Sequence, residues 1–370
     1  MTRGMCCPQC GKCTSRSRWA GWFCECGFSH TPPHAVIPAP RLRDPWHPVS
    51  NLYAQCHDWA DSCLETSVQF SHNYRIVTYK IPDLEGCSIS HLIANKTINE
   101  EPHGPDDMFH ALQELDCGLE RRRFVTGKEE FMTAFSNNRG MPYKFVAKGE
   151  SLPFSGSPWP LTTTRSRLNW ASRLVLDEQF DQANEFNELL TIGYFDGQNI
   201  KYHDDGEKGL GPTVASLSLG FPADMLFRVK SKHWTGMTKG GQFVHKRPLQ
   251  GTSHYSSRLS AWEKLRSQIG DATPKPDQLK RVATALELQD NVRDRKPWLR
   301  LRLSHGDVVV MHGAPLQEYF EHQVDPLGTL RFALTCRTIL PGHLSGEEMP
   351  EYEVGPDEGG YDGEGIREMR

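Results

Sequence analysis

The sequence of 370 residues predicts an α+β fold in which short β-strands form a sandwich or barrel core with flanking helices. Three observations lead to this prediction. Short runs of β-branched and aromatic residues, broken by Gly and Pro, recur through the C-terminal half. Helical patterns lie outside these runs. Six of the eleven cysteines fall within the first 26 residues, which predicts a separate small metal-binding segment.

Residues 1–30 are predicted to be a zinc-ribbon-like segment. Clustered thiols in a chain without a recognisable export signal are typical of metal ligation rather than of disulfides. A Cys-x2-Cys-Gly knuckle positions two thiolates on tetrahedral zinc, and a shorter Cys-x-Cys pair follows it. The predicted zinc ligands are Cys7, Cys10, Cys24 and Cys26, with Cys6 and Cys13 as alternatives.

Residues 31–135 are predicted to be a linker and an N-terminal extension that packs on the core. The Pro-rich start of this region is typical of a stiff or extended segment. A helix is predicted over residues 105–118, with Asp106 as its N-cap and Gly118 as the residue that ends it.

Residues 136–345 are predicted to be the core domain, interrupted by an insertion at residues 231–300. The insertion has helical patterns over residues 257–268 and 276–289. The strand candidates of the core are Val214–Leu219, Met225–Val229, Asp307–Met311 and Phe332–Ile339.

The net charge of −4 is unevenly distributed along the chain. Residues 230–302 carry 16 Lys and Arg against 6 Asp and Glu, whereas residues 341–370 carry 2 against 9. A basic block predicts a polyanionic partner. Residues 346–370 are polar, Gly-rich and acidic, which predicts a disordered tail. No apolar run approaches the length of about 18 residues that a membrane span needs, so no membrane partner is predicted.

Five polar residues of the C-terminal half predict an oxidative metal site. His203 and Asp205 form a His-x-Asp pair, whose side chains share one face of a strand, and His322 is the best third ligand. Two histidines and a carboxylate hold non-haem Fe(II) and leave positions open for O2 and a co-substrate. Arg331 and Arg337 follow, and an Arg can bind a dicarboxylate through two parallel hydrogen bonds. The pattern predicts an iron oxygenase that uses 2-oxoglutarate.

Three stretches resemble the AlkB family of nucleic-acid demethylases. They are residues 187–207 (NELLTIGYFDGQNIKYHDDGE), 214–220 (VASLSLG) and 331–337 (RFALTCR). The resemblance covers roughly residues 136–340 without the insertion. It implies a double-stranded β-helix, or jelly-roll, core.

The resemblance also implies roles for individual residues. The Fe(II) ligands would be His203, Asp205 and His322. The residues assigned to 2-oxoglutarate would be Tyr194, Arg331 and Arg337, the last adjoining the same pocket. The implied cofactors are therefore Fe(II), 2-oxoglutarate and O2, beside the structural zinc predicted for the N-terminal segment.

Three positions depart from the family pattern. Ile192 stands where the family usually has Asn, and Ala333 stands where it often has a second Asn. Two hydrogen bonds to 2-oxoglutarate are therefore not expected here. Gly206 replaces the acidic residue that close relatives carry after the iron-binding Asp.

Substrate recognition is predicted to combine polar and aromatic side chains near the metal site. Glu207 falls where the family places an acid near the exocyclic amino group of the base, and Arg139 is a second polar candidate. Tyr143 is the first aromatic candidate, with Phe145 and Trp159 as others, although each could equally be a core residue. The insertion adds cations and aromatics suited to a nucleic-acid channel: Lys230, Lys232, Lys239, Lys246, Arg247, Trp234, Phe243 and Tyr255.

The function predicted from the sequence is Fe(II)- and 2-oxoglutarate-dependent demethylation of N-methylated bases in DNA. N6-methyladenine is one expected substrate; alkylation damage at N1 of adenine or N3 of cytosine, and RNA, are alternatives that the residues do not separate. A non-catalytic nucleic-acid or chromatin-binding adaptor is the alternative of a different class. A DNA substrate predicts a nuclear location, with the cytoplasm as a second one.

Overall fold

The computed structural model describes residues 4–31, 36–39, 54–56, 65–81, 83–126, 128–131, 134–142, 151–177, 180, 185–195, 197–270, 272–286, 296–340, 342, 344–364 and 366–367. The strands are β1 Gly4–Cys6, β2 Cys13–Ser15, β3 Trp22–Phe23, β4 Ser29–His30, β5 Ala54–Cys56, β6 Glu65–Ser71, β7 Tyr74–Lys80, β8 Ser88–Ile93, β9 Arg123–Thr126, β10 Lys128–Phe131, β11 Phe135–Gly140, β12 Ser151–Leu152, β13 Glu188–Phe195, β14 Ile200–His203, β15 Leu210–Gly220, β16 Ala223–Val229, β17 Leu299–Leu303, β18 Val308–His312, β19 Phe320–Pro326, β20 Leu330–Ile339, β21 Gly360–Tyr361 and β22 Ile366–Arg367. The helices are α1 Lys96–Asn99, α2 Pro105–Glu114, α3 Trp159–Leu176, α4 Ser231–Thr235, α5 Tyr255–Ile269, α6 Pro276–Ala285 and α7 Ala314–Tyr319.

Two sheets face each other and form the jelly-roll core that the sequence predicted. The large sheet has the order β12-β11-β13-β20-β15-β18-β8-β7-β6, and the small sheet has the order β14-β19-β16-β17-β5. Neighbouring strands run antiparallel, except for the short parallel pair β11 and β12. Three predicted core strands lie within β15, β16 and β20, and the fourth, Asp307–Met311, overlaps β18 from Val308 onward, so those predictions are confirmed.

The alternation of side chains along β20 shows how the sequence directs residues to the two faces of the large sheet. Leu330, Phe332 and Leu334 belong to the apolar layer between this sheet and helices α2 and α3. Arg331 and Ala333, one position out of phase, line a cavity between the two sheets. Because strand neighbours alternate in direction, one strand supplies both an apolar layer and a polar site.

A second apolar layer lies between the sheets and closes the other end of the barrel. It includes Ile89 from β8, Phe227 from β16 and Leu301 from β17. This layer leaves open the end at which β13, β14, β19 and β20 meet. The polar residues predicted for the metal site therefore lie at the open end of a packed barrel.

The insertion lies between β16 and β17, and its two helices are confirmed. Helix α5 covers the predicted residues 257–268, whereas α6 ends at Ala285 instead of residue 289. The two helices pack through a small apolar core of their own, which includes Phe243 and Leu265.

The predicted ends of the helix over residues 105–118 need correction. Helix α2 begins after Gly104 and ends at Glu114, because Leu115 has an extended backbone. Asp106 does not cap the helix; its carboxylate lies 3.1 Å from the imidazole of buried His305. A tertiary contact therefore uses the side chain that the local pattern assigned to capping.

The disordered tail predicted for residues 346–370 is contradicted by residues 355–361, which pack against helix α3. Arg165 of α3 donates to the carbonyl oxygen of Gly355 at 2.8 Å. Asp357 accepts hydrogen bonds from two α3 side chains, and Tyr361 is 5% exposed. Acidic composition predicted disorder, but the polar face of α3 supplies partners that composition does not reveal. In the described part of the chain, no helix has the length and apolar character to cross a membrane.

Candidate functional site

The three predicted metal ligands come together at the open end of the barrel. His203, at the end of β14, is the register partner of His322 on β19, and their ring centroids lie 4.3 Å apart. The Asp205 carboxylate follows in the next turn and lies 3.6 Å from Nε2 of His322. One ligand atom from each residue lies within 4.8 Å of the others, so the three can hold one metal ion. This donor set fits Fe(II) and leaves coordination positions for other ligands.

Hydrogen bonding and burial prepare these side chains for metal binding. Nδ1 of His203 lies 2.9 Å from the carbonyl oxygen of Lys201, which favours a proton on Nδ1 and a free Nε2. Burial lowers the pKa of His322 to about 4, and the neighbouring His203 adds to the effect. The His322 imidazole is therefore neutral at neutral pH, as a metal ligand must be.

Asp205 is ionised despite its burial. Burial opposes the charged form, but the charges of His322, Arg337 and His203 together lower its pKa below the ordinary value. His322 is neutral at neutral pH, so we assign this effect there mainly to the permanent charge of Arg337. The Arg337 Nη1 atom lies 3.5 Å from the Asp205 carboxylate.

Arg331 and Tyr194 form a buried polar pair without a counter-charge. They are register partners on β20 and β13, and each is 1% exposed. Arg331 donates one hydrogen bond, to Oγ of Ser218 at 2.9 Å, while its Nε and Nη1 atoms and the Tyr194 hydroxyl have no partner. Both line the same cavity as the metal ligands. Unpartnered buried donors are costly, so this end of the cavity fits the carboxylate of a bound acid.

Arg337 lies on the same face of β20 but is already paired. Its Nε and Nη2 atoms donate to both oxygens of Glu188, at 2.9 and 3.0 Å, and Glu188 is fully buried. Its Nη1 faces Asp205. Direct binding of 2-oxoglutarate by Arg337 stays a prediction, and the contacts present favour a role in orienting Asp205.

The cavity has a volume of about 310 Å³ and combines these polar groups with apolar walls. Ile192 and Ala333 stand at the two positions where the resembling family has Asn. They are register partners, and both line the cavity. Sequence reasoning missed Arg122, Asn138 and Glu188. The strand period was the signal that could have found Glu188, which is in phase with Ile192 and Tyr194 on β13.

The predicted substrate residues have different outcomes. Glu207 lines the cavity, and its Oε2 atom is buried without a hydrogen-bond partner. The prediction that Arg139 binds substrate needs correction. Arg139 is out of phase with the cavity-lining residues of β11, and on the opposite face of the sheet its Nε donates to Oδ1 of Asn137 at 3.0 Å. Tyr143 and Phe145 lie outside the described residues. Trp159, at the start of α3, packs against the apolar layer outside the cavity.

The cations of the insertion divide into anchored and exposed groups. Lys230 pairs with Asp204 at 2.6 Å and donates to the carbonyl oxygen of Gln317, so it fixes the insertion to the loop that carries Asp205. Lys246 pairs with Glu318 at 3.2 Å. The predicted aromatics Trp234 and Phe243 are packed in apolar clusters, and Tyr255 at the start of α5 is half-buried. The exposed cations of this region include Lys232, Lys239, Arg247, Lys264, Lys275, Lys280 and Arg281.

The N-terminal cysteines form a second candidate metal site. The structure brings together the four predicted ligands Cys7, Cys10, Cys24 and Cys26, whose Sγ atoms all lie within 4.8 Å of one another. The alternatives Cys6 and Cys13 form a disulfide across β1 and β2, which corrects the expectation of metal ligation rather than disulfides for these two residues.

This segment is attached to the core beside the cavity. Trp19 is 6% exposed and stacks on Phe195, with a centroid distance of 5.3 Å. The amide of Arg121 donates to the carbonyl oxygen of Ser17 at 2.7 Å. The next residue, Arg122, reaches the cavity.

The comparison with protein-family models agrees with this geometry. A family model described as the 2OG-Fe(II) oxygenase superfamily matches residues 121–337. No curated protein matches the chain. A solved structure titled "The structure of OsALKBH1" aligns with 74% of this chain and 100% of its own, at 13% sequence identity and a TM-score of 0.33.

Proposed function

The chain belongs to the 2OG-Fe(II) oxygenase superfamily, and from this premise we propose that it demethylates N-methylated bases in DNA, including N6-methyladenine. The observation that carries the enzymatic part is the shared cavity of the His203, Asp205 and His322 cluster and the unpartnered Arg331 and Tyr194 donors. One group fits the metal and the other fits the co-substrate.

The tasks of the chain follow from its contacts. When bound, Fe(II), 2-oxoglutarate and O2 supply the oxidation of a methyl C–H bond, and the products are succinate, CO2, formaldehyde and the unmethylated base. His203, Asp205 and His322 would hold the metal, and Arg331 with Tyr194 would bind a co-substrate carboxylate. Apolar residues such as Leu190 exclude water around them. Arg337 keeps Asp205 ionised and oriented.

Three features support a nucleic acid as the substrate. The resemblance to the AlkB family is carried by the residues around the metal site. The insertion presents exposed cations, and phosphate neutralisation by Lys and Arg dominates the affinity of proteins for nucleic acids. Lys230 joins this basic insertion to the metal loop through Asp204. A target base in a duplex would have to be flipped out of the stack, at a cost of a few kcal/mol.

The identity of the base rests on the proposal alone. N1-methyladenine and N3-methylcytosine in DNA, and methylated RNA, use the same chemistry and would enter the same cavity. A nuclear location follows from a DNA substrate and stays a prediction.

We also propose that the Cys7, Cys10, Cys24 and Cys26 cluster binds a structural zinc ion. The four Sγ atoms lie within 4.8 Å of one another, and a zinc ion bound by four thiolates is a closed site that leaves no open position for catalysis. The segment is short, so a metal would replace the apolar core that it cannot build.

Formaldehyde and succinate release would test the proposed function. The full-length protein is assayed with Fe(II), 2-oxoglutarate and a panel of methylated DNA and RNA oligonucleotides, with His203→Ala as the matched blank. We expect triad-dependent formaldehyde from one member of the panel, which identifies the base. Succinate without formaldehyde would show a working metal site and exclude the bases tested. If metal-loaded protein releases neither succinate nor formaldehyde, that result would contradict the enzymatic function and favour the non-catalytic adaptor.

A further inference from the structure

Lys230 joins the loop that carries Asp205 to the helix that precedes the strand of His322. Its Nζ atom lies 2.6 Å from Oδ2 of Asp204 and donates to the carbonyl oxygen of Gln317 at 2.7 Å. Gln317 lies in α7, which ends directly before β19, and β19 carries His322. One ammonium group therefore links the segments that supply two of the three metal ligands.

The backbone of Lys230 is fixed on both sides. Its N–H donates to the carbonyl oxygen of Tyr319 at 2.8 Å, and its own carbonyl oxygen accepts from the amide of Trp234 at 2.9 Å, in the first turn of α4. Its side chain is only 13% exposed. Surface ion pairs are weak because water screens them and because two mobile side chains must be ordered. Neither condition holds fully for Lys230, so its contacts can hold the loop.

The loop also packs closely against α7. The amide of Gly206 donates to Oδ1 of Asp204 at 3.1 Å, so the carboxylate that pairs with Lys230 also closes the turn around Asp205. A Cβ atom at position 206 would lie 3.2 Å from the carbonyl oxygen of Gln317, which is closer than Cβ atoms usually approach. Glycine therefore lets the turn lie against α7. This contact gives a structural reason for Gly206, where close relatives in the resembling family carry an acid.

The position of the Asp205 carboxylate depends on this turn. Its polar contacts are long, 3.5 Å to Nη1 of Arg337 and 3.6 Å to Nε2 of His322. Asp205 lies beyond the end of β14, whereas His203 and His322 are register partners on paired strands. A shift of the turn would therefore move the carboxylate relative to two ligands that the sheet keeps in place.

We propose that Lys230 is a positioning residue of the metal site, which holds the turn of residues 204–206 against α7 so that Asp205 faces the two histidines. The insertion then contributes to metal binding in addition to presenting exposed cations. This inference rests on the metal site of the proposed function, and it is independent of the identity of the substrate.

Two double variants test this role without changing the net charge, because a lone charge near a bound dication would alter its affinity directly. Lys230→Met/Asp204→Asn removes the ion pair and keeps an amide oxygen that can accept from residue 206. Lys246→Met/Glu318→Gln is the matched control, since this pair joins the same insertion to the same helix α7. Calorimetry measures the affinity of the full-length proteins for Mn(II), and visible absorption reports the coordination of Co(II).

We expect the affinity for Mn(II) to fall about tenfold in Lys230→Met/Asp204→Asn and to stay unchanged in the control. The Co(II) spectrum should change in the first variant alone, an effect that a merely stabilising role of Lys230 would not produce. Urea denaturation of the metal-free proteins verifies folding. If the first variant does not fold, Asp204→Asn with Glu318→Gln as its control replaces the pair, and the same direction is expected.

Two results would overturn the proposal. One is a Mn(II) affinity and a Co(II) spectrum that both variants share with the wild type. The other is an equal loss of Mn(II) affinity in both variants, because the insertion would then act through general stability and not through the metal loop.

Failure of the proposed function has a different signature. A wild type that binds neither Mn(II) nor Co(II) would remove the metal site itself, and the role of Lys230 with it. A protein that binds both metals but no nucleic acid would remove the substrate alone. The metal affinities of the variants would still decide the role of Lys230, because these measurements contain no DNA.

Discussion

Arg331 and Arg337 lie on the same face of β20, six positions apart, and both are buried, yet their surroundings are opposite. Arg337 is paired with the fully buried Glu188 and faces Asp205. Arg331 has one hydrogen bond, to Ser218, and no carboxylate within ion-pair distance among the described residues. At one end of the strand, Arg337 has its hydrogen-bond partners within the protein and maintains the site. At the other end, Arg331 has unpartnered donors and fits a ligand.

This difference separates two roles that the sequence treats alike. Both residues follow His322 at suitable offsets, and both were predicted to serve the co-substrate. The partner that decides between them is Glu188, which lies on another strand. Four changes test the comparison between the two arginines.

The largest effect is expected when the ion pair between Arg337 and Glu188 is removed. Arg337→Met removes the ion-pair partner of buried Glu188, which keeps only a hydrogen bond from Asn138, so the free energy of unfolding should fall by about 3–5 kcal/mol. Urea denaturation of the metal-free protein measures this change. In the double variant Arg337→Met/Glu188→Leu both charges are removed, and most of the stability should return. Arg173→Met, which removes a surface cation, should cost less than about 1 kcal/mol. A single Arg337 variant as stable as Arg173→Met would contradict the assignment.

A third buried side chain, His233, extends the comparison through the dependence of stability on pH. His233 in α4 is 2% exposed, its Nε2 has no partner, and burial lowers its pKa to about 3. The unfolded chain binds this proton near pH 6.5, so the stability contributed by neutral His233 is lost as the pH falls from about 6.5 towards 3. Between pH 6.5 and 4 the loss is on the order of 3 kcal/mol.

Urea denaturation at several pH values isolates this contribution. The slope of stability against pH should be smaller in His233→Leu than in the wild type, while the exposed-site control His110→Gln keeps the wild-type slope. Identical slopes in all three proteins would show that His233 is not held neutral by burial. Arg331, unlike His233, stays protonated when buried, so only a bound ligand can compensate its charge.

Removing Arg331, whose donors lack partners, should change the free energy of unfolding by a smaller amount and in the opposite direction. Arg331→Met replaces an unpaired buried charge by an apolar side chain of similar length, so the metal-free protein should gain about 1 kcal/mol in unfolding free energy. The affinity for Mn(II) should not change, because Arg331 does not touch the metal ligands. Denaturation and calorimetry measure the two quantities. A clear loss of stability would mean that Arg331, like Arg337, already has a structural partner.

The smallest effect concerns the apolar pair between the two arginines. Ile192→Asn places an amide in the cavity where the resembling family has one, and one net hydrogen bond stabilises by about 1 kcal/mol. The KM for 2-oxoglutarate should therefore fall about fivefold with little change in kcat. Ile192→Val serves as the volume control. An unchanged or higher KM would show that the co-substrate does not reach this wall.

Local patterns in the sequence were sufficient to find the candidate metal ligands and the core strands β15, β16, β18 and β20, but not β14 and β19, which carry the two histidines. The spacing of His203 and Asp205 puts both ligands beside β14, and the alternation of residues 330–336 puts Arg331 in the cavity. The position of Arg331 follows the strand period, which brings neighbours two positions apart to one face. Asp205 lies beyond the end of β14, so the turn, and not a shared strand face, brings it beside His203.

The remainder depends on contacts between distant residues. Arg139 was chosen for the substrate, but its neighbour Asn138 faces the cavity, and a shift of one residue in a strand reverses the face. Glu188 has no local signature, because it becomes decisive only opposite Arg337. The packing of residues 355–361 depends on the polar face of α3, which their own composition cannot reveal.

Calorimetric titration of 2-oxoglutarate into Mn(II)-loaded protein tests the central claim most directly. The account predicts one saturable, Mn(II)-dependent site in the wild type and at least a hundredfold weaker binding in Arg331→Met, because a buried charge-assisted contact is lost. Tight binding by Arg331→Met, or binding by the wild type that ignores Mn(II), would contradict the claim that Arg331 and the metal triad form one co-substrate site.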